Sequence, residues 1–224
     1  MKNSGLTTKD QQKILSGINI KLQQHRIGLI GANGSGKSTL ARLCNGLTQP
    51  SKGHVSVLGH DSCKAAKILC RKVGFVFQNP DHQIVLPIVE DDLAFGLKNL
   101  KLPKEEIKQR LQKIIETYEL QHLQKKNTYH LSGGEKQMIA IAGVLAMEPE
   151  YLVFDEPTTL LDLRNRNRIQ KLISQLRQPI LMVTHDLNLL ADFDRVIVLD
   201  GGKVIADDSP EIAINFYMNK MMNC

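Results

Sequence analysis

A glycine-rich stretch near the amino end constrains the fold of this sequence more than any other feature. Residues 31–39 read Gly-Ala-Asn-Gly-Ser-Gly-Lys-Ser-Thr and match the phosphate-binding pattern G-x-x-x-x-G-K-[ST] at every defined position. The apolar residues 27–30 before it predict a buried strand, and residues 40–43 after it predict a helix. A strand, a glycine-rich turn and a helix in this order place backbone N–H groups around a phosphate.

The residue types in this loop suit the binding of a nucleoside triphosphate with Mg²⁺. Glycines permit backbone conformations and close approaches that a Cβ would block. We expect Lys37 to contact the β- and γ-phosphate oxygens and Ser38 to hold Mg²⁺. An ordinary glycine-rich turn is the alternative, and the flanking strand and helix argue against it. The predicted nucleotide-binding residues of the loop are Gly31, Ala32, Asn33, Gly34, Ser35, Gly36, Lys37, Ser38 and Thr39.

Length and composition fit one large globular domain, or one domain with an inserted subdomain. The chain has 224 residues, of which 42% are hydrophobic and 23% are charged. The net charge of +6 comes from basic residues scattered along the chain, so nucleic acid is not an expected partner. The longest apolar run, residues 139–147, is too short to span a membrane, so membrane partners would have to supply any membrane role.

Predicted strands alternate with predicted helices over most of the sequence. This order favours an α/β fold of the P-loop NTPase type, with a mostly parallel sheet and an N-terminal β element. Between about residues 79 and 130 no strand is predicted, which indicates an inserted α-helical subdomain. We therefore predict a single domain, 1–224, with a nucleotide-binding core of 1–78 and 148–224. The predicted helical subdomain is 79–147.

Polar residues follow three predicted buried strands, where α/β sheets bind their ligands. Asp155 and Glu156 end the apolar strand that begins at Tyr151. Adjacent strand residues point to opposite sides, so one of the two carboxylates could reach Mg²⁺ while the other faces a water beside the γ-phosphate. Gln78 follows the strand at 73–77 and could bind the metal or a water. His185 ends the strand at 180–184 and could be a polar sensor of the bound ligand. A solvated turn, a loop glutamine and a structural histidine are the respective alternatives.

The sequence Leu-Ser-Gly-Gly-Glu at residues 131–135 predicts a second anion-binding helix terminus. Ser132, Gly133 and Gly134 are the candidate contacts because small residues leave the first N–H groups of the helix accessible. A serine–glycine helix cap is the alternative interpretation. The sequence does not say which phosphate these residues would meet.

Taken together, these motifs resemble those of the ATP-binding-cassette (ABC) ATPases across nearly the whole chain. The motifs that carry the resemblance are residues 31–39, Gln78, 131–135, 151–156, Asp162 and His185, in the order and spacing of that family. The resemblance implies a head-to-tail dimer that sandwiches two ATP molecules with Mg²⁺. Lys37 and Ser38 of one subunit would face residues 132–134 of the other.

The same resemblance implies a role for each polar residue. Glu156 would polarise the attacking water, and Asp155 would support Mg²⁺. Gln78 would connect the metal to the surface that couples to partners. His185 would contact the γ-phosphate, and Asp162 would link the two sites across the interface. Together with Lys37, Glu156 and His185 form the predicted catalytic set, and Ser38, Gln78 and Asp155 form the predicted metal set.

One feature departs from the family pattern. ABC ATPases usually stack the adenine on an aromatic residue before the phosphate loop, and this sequence has no Phe, Tyr or Trp before Phe75. We expect aliphatic or polar groups around residues 9–16 to hold the adenine, with a modest preference for ATP over GTP.

Several segments resemble one branch of the family, the energy-coupling-factor (ECF) importers of vitamins and metals. They are residues 25–30, 73–83 and 90–96, while 158–165 and 191–196 are most similar to the biotin-transporter ATPase. The resemblance implies a peripheral subunit at the cytoplasmic face of the plasma membrane. Its expected partners are a second, identical ATPase subunit, a membrane coupling protein and a substrate-binding membrane subunit. The alternatives are another importer, for cobalt, nickel or another small solute, and a soluble ABC ATPase acting on nucleic acid or ribosomes.

Overall fold

The computed structural model describes residues 2–7 and 13–222, which divide into two compact units. The first unit comprises Met1–Val73, Tyr151–Glu156 and Gln178–Cys224, and the second comprises Gly74–Glu150 and Pro157–Arg177. The second unit contains residues 157–177, which the predicted boundaries place in the core. Each unit is described by itself.

The secondary structure follows the predicted alternation of strands and helices. The strands are β1 Lys2–Thr7, β2 Lys13–Ile18, β3 Arg26–Gly31, β4 Lys52–His54, β5 Ser56–Val57, β6 His60–Asp61, β7 Val73–Val76, β8 Tyr151–Asp155, β9 Ile180–Val183, β10 Arg195–Asp200 and β11 Lys203–Asp208. The helices are α1 Lys37–Cys44, α2 Ala66–Lys72, α3 Val89–Asn99, α4 Lys104–Thr117, α5 Gly133–Ala146, α6 Leu163–Ser174 and α7 Pro210–Met222.

The central sheet of the first unit is mostly parallel, as predicted. Strand β3 pairs in parallel with β10 on one side and with β9 on the other, and β9 pairs in parallel with β8. Only β11 runs antiparallel among these five strands, next to β10. The apolar residues of β3, β8 and β9 are buried on both faces, as expected for parallel strands. Their carboxyl ends therefore meet at one edge of the sheet.

The predicted N-terminal β element is a separate antiparallel sheet in the order β2–β1–β4. Two details differ from the pattern of alternating residues. Strand β2 ends at Ile18, although apolar and polar residues keep alternating to Leu22, and Val55 separates the two short strands β4 and β5. The carbonyl of Val55 accepts from the backbone N–H of Ser62, a contact that sequence alternation does not reveal.

Helices make up most of the second unit. The inner faces of α3 and α5 are apolar, with Leu93, Leu97 and Ile139 fully buried. The fully buried Ile115 lies on α4, which also belongs to this unit. Helix α5 is buried nearly all round, which explains its almost continuous apolar sequence. None of the helices within 2–7 and 13–222 is both long and apolar enough to cross a membrane.

Candidate functional site

The phosphate-binding loop joins β3 to α1 with a conformation that glycine makes possible. Gly36 precedes α1 with φ 99°, and no side chain of the described residues caps the first turn of this helix. A Cβ on Gly36 would lie 2.7 Å from Leu15 Cδ2, and one on Gly31 would lie 2.0 Å from the carbonyl oxygen of Leu199. The loop therefore leaves the first N–H groups of α1 available to an anion.

Lys37 is held inside this loop rather than on its surface. Its side chain is buried, and Nζ donates hydrogen bonds to the carbonyls of Gly31 at 2.9 Å and Ala32 at 3.0 Å. Burial lowers the pKa of Lys37, while the carboxylates of Glu156 and Asp155 act in the opposite direction. The ammonium group is thus fixed where desolvation strengthens its attraction for a phosphate oxygen.

The side chains of Asp155 and Ser38 are in direct contact, while their shared metal stays a prediction. Ser38 Oγ donates a hydrogen bond of 2.8 Å to Asp155 Oδ1. Asp155 is buried, and desolvation raises its pKa despite the Ser38 hydrogen bond and the charges of Arg42 and Lys37. The structure therefore holds this carboxylate in a place that favours a bound cation.

Glu156 lies beside His185, so two residues 29 positions apart in sequence are brought together. His185 Nε2 is 3.1 Å from Glu156 Oε1. Glu156 is nearly buried and has φ 51°, a left-handed conformation that side chains other than glycine rarely adopt. Such strain often occurs at functional sites, where the surrounding structure imposes it.

The predicted second anion-binding segment forms a complete helix cap. Ser132 Oγ accepts from the backbone N–H of Glu135 at 3.3 Å, and Glu135 Oε2 accepts from the backbone N–H of Ser132 at 2.8 Å. The hydrogen bond from the Ser132 backbone N–H to the Glu135 carboxylate is the main cause of the lowered pKa of Glu135. The cap interpretation is therefore correct, while the predicted phosphate contact stays a prediction. Ser132 and Gly133 are both exposed.

Asp162 and Gly134 are connected through a residue that the sequence analysis did not single out, Asn165. Asp162 begins α6 by accepting from the backbone N–H of Asn165 at 2.8 Å and from its Nδ2 at 2.9 Å. A Cβ on Gly134 would lie 2.2 Å from Asn165 Cγ, so only glycine fits there without movement. Within the second unit, the Asn165 side chain that Asp162 holds therefore packs against Gly134 in the first turn of α5.

The remaining predicted residues differ in how far they are exposed to solvent. Asn33 and Gly34 are exposed, Ala32 and Thr39 are half-buried, and Gln78 lines a small cavity with Gly133 in the second unit. Of the segment expected to hold the adenine, residues 9–12 lie outside the described residues.

The residues of the first unit fit a nucleoside triphosphate and Mg²⁺. Ser35 Oγ is buried and has no hydrogen-bond partner within the part of the chain that is described, so the loop retains polar capacity. Ser38 and Asp155 supply hydroxyl and carboxylate oxygens, the ligand type that Mg²⁺ prefers. No group of three or more His, Cys, Asp or Glu side chains in the described ranges could hold a metal. Mg²⁺ normally completes its shell with phosphates and water, so these few ligands suffice.

Comparison with known proteins agrees with this chemistry. The family model described as ABC transporter matches residues 15–159. A Bartonella henselae protein, provisionally named as an ABC transporter ATP-binding protein, is 55% identical over 93% of this chain and 92% of its own length. The biotin transport ATP-binding protein of Rhizobium etli is 44% identical over 91% of this chain and 90% of its own length. The energy-coupling factor transporter ATP-binding protein of Caldanaerobacter subterraneus is 42% identical over 88% of this chain and 74% of its own length.

Two solved structures share the fold. CbiO1 of Clostridium perfringens, part of the ABC transporter complex CbiONQ, superposes with a TM-score of 0.83 and 34% identity, over 99% of this chain and 92% of its own. An ATP-binding cassette solved as a dimer in a post-hydrolysis state with ADP and Pi has a TM-score of 0.83 and 27% identity. That match covers 93% of this chain and 97% of the solved one.

The raised pKa of Asp155 predicts that Asp155→Asn stabilises the protein at neutral pH. The folded state holds the Asp155 proton to higher pH than the unfolded state, whose pKa is near 3.8. Wild-type stability therefore falls as the pH rises from 3.8 through the folded pKa, whereas asparagine has no proton to lose. Urea unfolding between pH 3 and 8 should show the variant more stable at pH 7, with the difference shrinking towards pH 3.

The exposed Asp192→Asn substitution is the matched control and should leave the stability difference near zero at every pH. Equal stability of wild type and Asp155→Asn across the whole range would contradict the raised pKa.

Proposed function

The chain belongs to the ABC transporter family as an ATPase of the energy-coupling-factor type, and on this premise we propose that it powers the uptake of biotin. The observation that carries the ATPase chemistry is the cluster of Lys37, Ser38, Asp155, Glu156 and His185 at one edge of the sheet. The choice of biotin is supported by the 44% identity to the biotin transport protein of Rhizobium etli.

We propose that ATP binds with its phosphates against the first turn of α1. The uncapped N–H groups and the positive end of the helix dipole meet the phosphate oxygens. The Lys37 ammonium, already desolvated, neutralises charge on the β- and γ-phosphates without having to shed a full water shell. The loop thus positions the triphosphate for attack along the bond to the leaving oxygen.

Ser38 and Asp155 are proposed to hold Mg²⁺, with Gln78 as a further ligand from the second unit. Bound Mg²⁺ would withdraw charge from the phosphate oxygens during transfer. Asp155 also accepts the Ser38 hydrogen bond, which keeps the hydroxyl oxygen beside the carboxylate before any cation arrives. This pre-arrangement reduces the cost of assembling the ligand set.

Glu156 is proposed to orient the attacking water and accept its proton as the oxygen–phosphorus bond forms. The bond from the γ-phosphorus to the bridging oxygen then breaks, giving ADP and phosphate. His185, at 3.1 Å from Glu156, would hold the carboxylate in place and reach the γ-phosphate. The left-handed backbone at Glu156 turns its side chain away from the direction a regular strand would give it.

We propose that turnover occurs in a head-to-tail homodimer. Ser132, Gly133 and Gly134 of one subunit would close over the triphosphate bound by Lys37 of the other, with Asp162 at the interface. The exposure of Ser132 and Gly133 and the dimeric state of the similar solved cassette support this proposal. Both sets of motifs are present in this chain, so an identical copy can supply the second half of each site.

The proposed partners in the membrane are a coupling protein and a substrate-binding subunit, with the ATPase at the cytoplasmic face of the plasma membrane. The coupling protein would dock beside Gln78. The proposed function needs no nucleic acid.

We expect Glu156→Gln to retain ATP binding and lose hydrolysis, because an amide cannot take up the proton of the attacking water. Loss of a general base typically lowers a rate by about 10²–10⁴-fold. Equilibrium binding of ATP with Mg²⁺ should stay within about threefold of wild type, since the contacts of Lys37 and Ser38 are unchanged. Phosphate release in the steady state measures the first quantity, and a fluorescent ATP analogue measures the second.

The exposed Glu105→Gln substitution on α4 removes the same charge far from the motifs in sequence and should hydrolyse ATP at the wild-type rate. Steady-state hydrolysis by Glu156→Gln equal to wild type would remove Glu156 from the proposed role.

Purification of the tagged protein from detergent-solubilised membranes tests the transport proposal. We expect two hydrophobic membrane proteins to co-purify. The complex reconstituted into vesicles should take up labelled biotin only when ATP is present on the side of the membrane that carries the ATPase. The Glu156→Gln complex should assemble and fail to accumulate biotin. A complex that accumulates another solute and ignores biotin would contradict the proposed substrate, and bound RNA or a solitary soluble dimer would contradict the transport role.

A further inference from the structure

The segment after β7, residues 77–83, is tied to helix α5 by the side chain of Gln83. Gln83 Oε1 accepts from the backbone N–H of Phe77 at 3.2 Å, and Gln83 Nε2 donates to the carbonyl of Ala140 at 2.8 Å. One amide group therefore closes the segment into a loop and fastens that loop to the middle of α5. Among side chains of this length only glutamine offers a donor and an acceptor on the same neutral group.

A second contact joins the same loop to the start of α5. Lys136 Nζ lies 2.7 Å from Asp81 Oδ1, and Lys136 directly follows the 131–135 motif. Asp81 sits in the short helical turn Pro80–His82, which Asn79 caps by accepting from the backbone N–H of Asp81 at 2.9 Å. Because Asp81 is largely exposed, this ion pair adds little energy but fixes the same relative position as Gln83.

Gln78 is the second residue of the closed loop, one position after the Phe77 N–H that Gln83 holds. It lines a cavity of about 150 Å³ together with Gly133 and the buried Gln137. Gln137 Nε2 has no hydrogen-bond partner in the stretches that the structure describes, so the wall of this cavity keeps an unused donor. Gln83 therefore holds the backbone directly next to Gln78, at the wall of this cavity.

We propose that Gln83 is a positioning residue that makes Gln78 move with helix α5. Any displacement of the 131–135 motif at the start of α5 is transmitted through the helix to Ala140 and through the Gln83 amide to the Gln78 loop. The proposal rests on the proposed function, in which Gln78 contributes to the Mg²⁺ site and residues 132–134 meet the second ATP-binding subunit. A purely structural glutamine would stabilise the unit without this effect on Mg²⁺.

The test compares Gln83→Leu with Thr128→Val. Thr128 Oγ1 donates a buried hydrogen bond of 3.0 Å to the carbonyl of Leu86, so Thr128→Val removes one internal hydrogen bond from the same unit without touching residues 77–83. We expect Gln83→Leu to lower kcat about tenfold and to raise the Mg²⁺ concentration for half-maximal hydrolysis, with the KM for ATP within about twofold. Thr128→Val should leave kcat and the Mg²⁺ dependence at wild-type values.

A double-mutant cycle with Gln78→Ala identifies the route of the effect. If Gln83 acts through Gln78, adding Gln83→Leu to Gln78→Ala causes no further loss of kcat and no further change in Mg²⁺ dependence. Losses that multiply would overturn the proposal, as would a Gln83→Leu variant that matches Thr128→Val in every kinetic measurement.

Gln83→Glu keeps the test informative if the leucine variant does not fold. A glutamate still accepts from Phe77 but cannot donate to Ala140, so it breaks only the link to α5. We expect the same rise in Mg²⁺ requirement, and wild-type Mg²⁺ dependence in this variant would overturn the proposal. Absence of ATPase activity in the wild-type protein would instead contradict the proposed function, which keeps the two failures apart.

Discussion

The buried ammonium group of Lys37 requires oxygen atoms and negative charge around it, and the surrounding residues of the first unit supply both. Leaving water lowers the pKa of a lysine, so the group stays charged only where oxygen atoms replace its water shell. The carbonyls of Gly31 and Ala32 supply those oxygens directly, and the carboxylates of Asp155 and Glu156 supply opposite charge. The loop leaves β3 at Gly31, which approaches the Leu199 carbonyl too closely for any Cβ. The parallel sheet is what delivers the loop and the two carboxylates to the same edge.

Two adjacent carboxylates at that edge meet different surroundings and can therefore do different work. Asp155 ends a regular strand, is buried and accepts the Ser38 hydrogen bond, and desolvation raises its pKa. Glu156 leaves the strand with a left-handed backbone, at a cost of about 1–2 kcal/mol for such a residue, and meets His185. The strained residue thus places the second carboxylate beside His185, while the first stays beside Ser38.

The local parts of this arrangement could be predicted from the sequence, and the long-range contacts could not. The glycine–lysine–serine pattern and the apolar strands ending in Asp155 and His185 contain enough information to place the first-unit cluster at a sheet edge. Asn165 gave no comparable signal. Its importance comes from its contact with Gly134, thirty-one residues earlier, where a Cβ would clash with the Asn165 side chain. Gln83 was missed for the same reason, since its partner Ala140 is 57 positions away and contributes only a backbone carbonyl. The end of strand β2 could not be predicted either, because apolar and polar residues keep alternating after Ile18, where strand pairing stops.

The central claim is that the site built around Lys37 is completed by Gly133 of another copy. Mixing two inactive variants, Lys37→Ala and Gly133→Glu, tests it most directly. A Cβ added at Gly133 meets no other part of the described chain within 4 Å, so this variant should fold while blocking the partner's site. At equal amounts half of the dimers are mixed and carry one intact site of two, so the mixture should regain roughly a quarter of wild-type ATPase activity. A mixture that forms dimers and binds ATP but stays inactive would contradict the account.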